Sequence, residues 1–381
     1  MSQENEPVIV PDVKGDIIHY QYLDALRGLA ALLVLAIHLS ALTVLLGKYS
    51  FGFGAYGVQL FYILSALTLF LSSNQRFSTE ARPVAKFFLR RFFRIAPLFY
   101  LAVIIAYLFS DGVTYRLPVS GVSINNIIAH FFFVFGFNKY WINSVIGVEW
   151  SIFCEVLFYL TLPLVFKYIK SKKQALYLLG FSLLVYIVFK GAVYLFNRGG
   201  DLLLAEWSSV FILSNYFYFA LGILLYFIIR QPLRVRKAYL YFAWLVLFAG
   251  VILMITFGLA HFGALLFSVF AFLLVYLMSN NLPVNIIFNN RFTRFIGQIS
   301  YSMYLWHYLV LGWFAKYLIN PNSAFFASHP PIRIGSIILV IFSVVFISYL
   351  SYILIEKPSI NLGRRLIKKM KAPLKTVIVN I

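Results

Sequence analysis

An arginine and a histidine, Arg27 and His38, interrupt the first long apolar stretch of the chain, residues 22–46. Ionisable side chains are costly within a membrane-spanning helix, so each of them is a candidate functional residue. They are eleven positions apart, which on an α-helix puts them within about 20° of the same direction and about 16 Å apart along the axis. Arg27 would hold an anionic group near one membrane surface. His38, whose imidazole titrates near neutral pH, would exchange a proton deeper in the membrane.

The same two residues also have a structural interpretation. Arg27 could pair with Asp24, three residues earlier, and extend to the membrane surface. His38 could hydrogen-bond a neighbouring helix. This stretch alone leaves both interpretations open.

A cluster of arginines lies where the third apolar stretch begins, and two of them, Arg91 and Arg94, share one helical face because they are three positions apart. A guanidinium group donates two parallel hydrogen bonds that match a phosphate group, so this face is a candidate phosphate site. The alternative is that the cluster anchors the helix among anionic lipid headgroups.

Further polar residues lie within the fourth and ninth apolar stretches. Glu155 lies in the middle of the fourth, where a carboxyl group must be neutral, paired or in contact with a water-filled cavity. In the ninth, Ser300, Tyr304 and His307 lie on one helical face at positions i, i+4 and i+7. His307 could be a second polar contact in such a cavity, or it could pack between helices.

The elements that would position these residues are membrane-spanning helices. Of the 381 residues, 62% are hydrophobic and 12% are charged, which excludes an ordinary soluble protein and indicates an all-α polytopic membrane bundle. A shorter apolar piece, residues 127–137, is too short to cross and is expected to be re-entrant or interfacial. Ten spans are predicted, at residues 22–46, 55–72, 92–109, 145–166, 175–196, 209–229, 238–257, 262–279, 295–318 and 334–355.

The charges predict how these spans are oriented. The net charge is +20, and the basic residues form short clusters between apolar stretches, which favours contact with lipid headgroups over nucleic-acid binding. If the N-terminus is cytoplasmic, 25 of the 32 lysines and arginines lie inside and 7 outside, as the positive-inside rule requires. The chain then comprises a cytoplasmic tail (1–21), a ten-span domain (22–355) and a basic cytoplasmic tail (356–381).

Cysteine and metal chemistry are not indicated. The single cysteine, Cys154, excludes a disulfide framework within the chain. No stretch has metal-ligand spacing, a phosphate-binding glycine loop or a serine-nucleophile elbow, so we expect no metal site.

Five segments, in order along the chain, resemble motifs of the membrane-bound acyltransferase-3 family. The family's first motif is an arginine or lysine, ten residues and a histidine, and it matches Arg27 and His38. Where the family usually has glycine after its second motif, this chain has Ala66. The resemblance covers residues 22–365, and its other segments are 57–65, 91–97, 150–159 and the C-terminal pair 299–307 and 355–358.

The resemblance implies an O-acyltransferase of the bacterial inner membrane. The donor would be an acyl-CoA, most simply acetyl-CoA, and the acceptor a hydroxyl of a cell-surface, exported or lipid-linked carbohydrate. The extended pantetheine arm of such a donor reaches roughly 16 Å, which approximates the rise from Arg27 to His38.

The resemblance also implies roles for the candidate residues. His38 would be the general base, with a transient acyl carrier as the alternative, and Glu155 would orient it or balance its charge. The catalytic set is then His38, Glu155 and Arg27; the donor phosphates would contact Arg27, Arg91 and Arg94; the acceptor would contact Tyr304 and His307.

A polar-substrate transporter is the alternative function. It too would have ten spans with ionisable residues at mid-membrane. It does not explain clustered arginines one donor length from a histidine, and the internal repeat that many transporters carry is not evident. A purely structural subunit has no use for His38 and Glu155.

Overall fold

The computed structural model describes residues 20–42, 56–109, 122–231, 236–256, 260–280, 284–319, 325 and 328–370. Within these ranges every regular element is helical and no β-strand occurs, so the predicted all-α class is confirmed. In chain order the helices are α1 Gln21–Leu42, α2 Gly57–Thr79, α3 Pro83–Phe109, α4 Ile124–Phe131, α5 Trp150–Tyr168, α6 Lys172–Phe196, α7 Leu202–Val210, α8 Ile212–Ile228, α9 Lys237–Thr256, α10 Ala260–Ser279, α11 Val284–Phe288, α12 Arg291–Gln298, α13 Ser300–Phe314, α14 Pro330–Ser351 and α15 Lys357–Lys369.

Length and composition make this bundle a polytopic membrane protein. Among the described residues, seven helical segments are long and apolar enough to cross a membrane. The predicted count of ten also requires α9, α10 and α13 to cross, and it stays a prediction. So does the cytoplasmic location of both termini, since residues 1–19 and 371–381 lie outside the described part.

Several of the predicted spans are not single continuous helices in the structure: one begins later than predicted, and two are divided into two helices. The fourth span was predicted from residue 145, but α5 begins only at Trp150, because Glu149 accepts backbone hydrogen bonds from the preceding turn. The sixth is divided at Phe211 between α7 and α8. The ninth is divided at Ile299 between α12 and α13. The third helix is longer than predicted: α3 begins at Pro83, a residue suited to the first turn.

The short apolar piece at residues 127–137 is not a span, as predicted. It forms the eight-residue helix α4 and a 3₁₀ turn, Phe135–Phe137. Ser123 caps α4 by accepting a hydrogen bond from the backbone N–H of Asn126 at 3.3 Å. The loop that follows, residues 138–149, contacts α13, because the carbonyl oxygen of Val148 accepts a hydrogen bond from the Tyr304 hydroxyl at 2.7 Å.

Helix α1 crosses α12 at very short range, and two glycines make this possible. A Cβ atom placed on Gly28 would lie 2.0 Å from the carbonyl oxygen of Thr293, and one on Gly297 would lie 1.9 Å from that of Asp24. Small residues at helix crossings let backbones approach closely in membranes, where packing rather than water drives association. This crossing fixes α1, and with it Arg27 and His38, against the C-terminal third of the chain.

Helix α2 occupies the centre of the bundle and contacts α1, α3, α5, α8 and α10. In contrast, α6 contains only two buried residues, Ala175 and Ser182, and packs mainly on α8. Apolar side chains on its other face, such as Phe181 and Ile187, point outward, as expected of a lipid-facing helix. The candidate site lies where α1, α2, α3, α5 and α13 meet.

Candidate active site

Arg27 projects from α1 toward α2, where its Nη2 donates a hydrogen bond to Oγ1 of Thr68 at 2.8 Å. Its Nη1 donates to Oδ1 of Asp24 at 3.2 Å, which is the pairing that the structural interpretation expected. Thr68 donates to the carbonyl oxygen of Leu64 at 2.5 Å, one turn earlier. The guanidinium of Arg27 is thus held between two helices.

Glu155 lies at the same end of the site as Arg27. Its Oε1 accepts a hydrogen bond from the Ser65 hydroxyl at 2.7 Å and another from the hydroxyl of Tyr159. It also lies within electrostatic range of Arg27. The structure therefore brings Glu155 together with the arginines, and the hydrogen bonds described for it do not include His38.

Arg94 on α3 is tied to the C-terminal part of the chain. Its Nη1 donates to Oε1 of Glu356, and the Ser302 hydroxyl donates to Oε2 of the same carboxylate at 2.6 Å. The Glu356 side chain has no exposed surface, whereas that of Arg94 is 31% exposed. Arg94 therefore neutralises a buried carboxylate and keeps part of its guanidinium accessible.

Arg91 is the least engaged of the predicted phosphate ligands. Its guanidinium carbon lies 5.7 Å from the centre of the Tyr159 ring. Its Nε is buried, and the described part of the chain contains no hydrogen-bond partner for it. The neighbouring Arg90, in contrast, donates two hydrogen bonds to Glu80, at 3.0 and 2.8 Å. We call Arg27, Arg91 and Arg94 the arginine cluster, since Arg91 and Arg94 both interact electrostatically with Arg27.

His38 and His307 form a pair, which we call the histidine pair. Nε2 of His307 lies 3.3 Å from Nδ1 of His38, and the ring centres are 5.0 Å apart. The ring of Tyr308 lies 5.3 Å from that of His38 and nearly perpendicular to it. From the sequence, His307 was expected to contact the acceptor or to pack between helices; in the structure it lies directly against His38.

The partners of the histidine pair determine which nitrogens carry protons. Nδ1 of His307 lies 3.1 Å from the carbonyl oxygen of Met303, which can only accept, so this Nδ1 is protonated. In a neutral imidazole its Nε2 is then an acceptor. Nδ1 of His38 faces that acceptor and also the carbonyl oxygen of Val34 at 2.9 Å, so it too carries a proton. The lone pair of a neutral His38 is therefore on Nε2.

Tyr304 lies between the histidine pair and α5. Its hydroxyl accepts a hydrogen bond from the Ser151 hydroxyl at 2.7 Å and donates to the carbonyl oxygen of Val148 at 2.7 Å. Its ring centre lies 5.6 Å from that of His307. The hydroxyl is thus fully engaged within the protein, and the ring contributes to the wall beside the histidine pair.

Two buried carboxylates near the site were not given roles from sequence. Glu356 pairs with Arg94, and Glu149 pairs with His130 at the other end of the bundle. The available signal was an acidic residue beside a long apolar stretch, since a carboxylate there needs a partner. The partners could not be identified from spacing, since Arg94 and Glu356 are 262 positions apart and His130 lies 19 positions before Glu149, on a different element.

The arrangement separates two kinds of chemistry along α1. The arginine cluster presents positive charge at one end, and the histidine pair presents an unprotonated nitrogen nearer the other end. Among the described residues, no group of three or more His, Cys, Asp or Glu side chains is positioned to hold a metal ion.

Comparisons with known proteins point in one direction. A family model described as an acyltransferase domain matches residues 20–355. The chain is 26% identical over 335 residues to the peptidoglycan O-acetyltransferase OatA of Listeria monocytogenes serovar 1/2a, an alignment that covers 76% of this chain and 49% of OatA. The chain thus spans about half the length of that relative.

A second relative comes from a virus. The chain is 27% identical over 296 residues to ORF330 of Acidianus two-tailed virus, a protein named only provisionally as an acetyltransferase. This alignment covers 75% of the chain and 81% of the viral protein. No solved structure matches the chain significantly.

Proposed function

Because the chain belongs to the acyltransferase-3 family, we propose that it is a membrane O-acetyltransferase that uses acetyl-CoA to acylate a hydroxyl of a carbohydrate. The observation that carries this proposal is the basic Nε2 of His38, held in a defined tautomer by Val34 and His307. A general base must present a lone pair in a fixed direction, and an imidazole whose other nitrogen is hydrogen-bonded meets that need.

This geometry supports the following reaction. Nε2 of His38 takes the proton of the acceptor hydroxyl while its oxygen attacks the thioester carbonyl carbon. The new C–O bond forms, the C–S bond breaks, and the proton on Nε2 passes to the departing thiolate. During the step His38 is an imidazolium, and its Nδ1–H is stabilised by donation to Nε2 of His307. His307 is then a positioning residue for His38.

The donor phosphates fit the arginine cluster. The buried Nε of Arg91 is an unused donor, and part of the Arg94 guanidinium is accessible. Charge-assisted hydrogen bonds to phosphate would satisfy both. The pantetheine arm would run along α1 and bring the thioester to His38, since its extended length of roughly 16 Å matches the rise from Arg27.

Glu155 would have a different role from the one first expected. Its contacts with Ser65 and Tyr159, close to Arg27, suit a carboxylate that holds the arginine cluster in place. We propose that it shapes the donor site and does not touch the reacting atoms.

The acceptor class comes from the relatives. OatA is named for O-acetylation of peptidoglycan, and we propose for this chain a surface, exported or lipid-linked carbohydrate that approaches the histidine pair in a bacterial inner membrane. Tyr304 would contribute its ring to the acceptor side.

The decisive experiment uses purified full-length protein in lipid nanodiscs with acetyl-CoA labelled in the acetyl group. We expect saturable binding of the donor, and O-acetyl transfer when extracts of surface glycan are added. The variant His38→Ala should bind the donor and transfer nothing. A transporter would not bind acetyl-CoA, and transfer by folded His38→Ala protein would contradict the proposed base.

Deletion of the gene should remove O-acetyl signals from the NMR spectrum of surface glycans.

A further inference from the structure

A second histidine pairs with a carboxylate outside the chemistry described above. His130 on α4 and Glu149, just before α5, are both fully buried. Nε2 of His130 lies 3.3 Å from Oε1 of Glu149. The ring of His130 stacks on Phe135, with centres 4.1 Å apart and planes 6° from parallel.

The hydrogen bonds show that this pair shares a proton. Nδ1 of His130 lies 2.8 Å from the carbonyl oxygen of Asn126, so it must donate there. Nε2 of His130 faces a carboxyl oxygen of Glu149. Two unprotonated acceptor atoms cannot hydrogen-bond each other, so a proton lies between them. A buried ionic or shared-proton pair is costly to remove in part, since the remaining partner has no water to solvate it.

Glu149 uses its carboxylate to close the turn that precedes α5. Oε1 accepts the backbone N–H of Val145 at 3.0 Å, and Oε2 accepts that of Gly147 at 2.6 Å. Gly147 has a backbone φ of +99°, an angle that residues other than glycine rarely adopt. The Glu149 carboxylate therefore helps to hold the conformation of residues 145–149 through two backbone hydrogen bonds.

That turn is in direct contact with the surroundings of the histidine pair. The carbonyl oxygen of Val148 accepts the hydroxyl of Tyr304, whose ring lies beside His307. Gly147 packs against the ring of Tyr308, so closely that a Cβ on it would lie 2.2 Å from a ring carbon. Tyr308 in turn packs edge-on against His38.

We infer that the His130–Glu149 pair positions the histidine pair, by holding the 145–149 turn against Tyr304 and Tyr308. Glu149 and His130 are positioning residues and touch neither donor nor acceptor. The expected effect on kcat rests on the proposed function. The expected effect on the surroundings of His38 does not, because it follows from packing alone.

The test compares Glu149→Gln with wild type in nanodiscs. The amide keeps the size of the side chain but cannot accept all three hydrogen bonds. We expect kcat to fall by about tenfold to a hundredfold with an unchanged KM for acetyl-CoA, because small misplacement of a catalytic group is costly and the arginine cluster is remote. We also expect diethyl pyrocarbonate to modify His38 at least severalfold faster or slower, as measured by mass spectrometry of the His38 peptide.

A pair of variants at position 130 separates positioning from folding. His130→Gln keeps an N–H donor toward Glu149 and should retain most of the wild-type kcat, whereas His130→Leu, which removes the donor, should match the loss in Glu149→Gln. Tyr216→Phe is the control: it deletes a 2.9 Å hydrogen bond between α8 and Thr161 of α5, remote from the turn, and should leave kcat and His38 modification unchanged.

Two results would overturn the inference. One is folded Glu149→Gln protein with wild-type kcat and wild-type modification of His38. The other is equal loss in His130→Gln and His130→Leu. If wild-type protein transfers no acetyl group, the proposed function fails, and the rate of His38 modification still decides whether the pair fixes the environment of His38.

Discussion

Single hydrogen bonds make the two nitrogens of His38 unequal. Nδ1 is occupied by Val34 and His307, and Nε2 holds the lone pair. In the proposed reaction, His307 takes the place that a carboxylate has in the serine-hydrolase triad, where the carboxylate fixes the tautomer of the base and stabilises the imidazolium. A neutral partner suits an intramembrane site, because it adds no buried charge.

This arrangement predicts how substitutions of His307 differ. His307→Gln offers an amide oxygen near the position of Nε2 and should retain part of the acetyl transfer. His307→Leu offers no acceptor and should reduce kcat by about a hundredfold or more, the usual value of general-base catalysis. Initial rates in nanodiscs, with donor binding as the check on folding, measure both. Equal rates for the two variants would mean that His307 only fills space.

The arginine cluster gives a second prediction. Arg91→Ala should weaken acetyl-CoA binding without loss of stability. The described contacts of Arg91 are an unpartnered Nε and the Tyr159 ring, so the substitution leaves no buried carboxylate unpaired. Arg91→Lys should be impaired in part, since an ammonium group keeps the charge and loses the planar fork.

Arg94→Ala should behave differently from Arg91→Ala. It leaves Glu356 buried and unpaired, at a cost of about 3–5 kcal/mol, so thermal stability as well as donor binding should fall. Arg82→Ala, at an exposed position of the same basic segment, is the control for both and should match wild type in donor binding and in melting temperature. Isothermal titration with coenzyme A and melting in detergent measure the two quantities. Unchanged binding in Arg91→Ala would remove the phosphate role.

Among the helices, the crossing of α1 and α12 is the tightest contact that bears on the site. Gly28→Ala would force a methyl group to within 2.0 Å of the Thr293 carbonyl oxygen, so the helices must separate. We expect a loss of about 1–3 kcal/mol or more in the free energy of unfolding, together with displaced Arg27 and reduced activity. Gly180→Ala on α6 is the matched control, because nothing lies within 4 Å of its added Cβ and alanine favours helix. Thermal melting should separate the two; a Gly28→Ala protein as stable as Gly180→Ala would refute the tight crossing.

The helices show how far sequence patterns reach. Apolar runs of sufficient length predict membrane helices, because in lipid every backbone group must bond within its own segment. The same rule does not reveal breaks such as those at Phe211 and Ile299, where the helix ends within an apolar run.

The parts of the site that lie on a single helix could be predicted from sequence, whereas contacts between residues of different helices could not. Arg27 and His38 share α1, so their spacing sufficed. His38 and His307, which are in contact, are 269 positions apart. The contact of His130 with Glu149 depends on the conformation of residues 131–148, which connect them. The family resemblance implied that Glu155 acts on His38. Its hydrogen bonds to Ser65 and Tyr159 depend on how α5 packs against α2, which the sequence does not reveal.

For the whole molecule, the charge distribution predicts orientation. Lys173 and Arg198 are exposed and flank opposite ends of α6. In a Cys154→Ala background, which removes the only natural thiol, we expect a membrane-impermeant maleimide to label Arg198→Cys in intact cells and Lys173→Cys only after permeabilisation. The reverse pattern would invert the topology and put the arginine cluster on the outer side, away from cytoplasmic acetyl-CoA.

The ion pair between Arg94 and Glu356 also has a consequence for biosynthesis. The two residues are 262 positions apart, so the ribosome makes Arg94 long before its counter-charge. Until α14 and the π-helical segment after it, Tyr352–Glu356, have been inserted, Arg94 of the nascent chain lacks this carboxylate. The Nε of the nearby Arg91 has no hydrogen-bond partner in the described protein. A segment far along the chain therefore completes the charge balance of α3, so we expect a chain that ends before residue 356 to lack this ion pair.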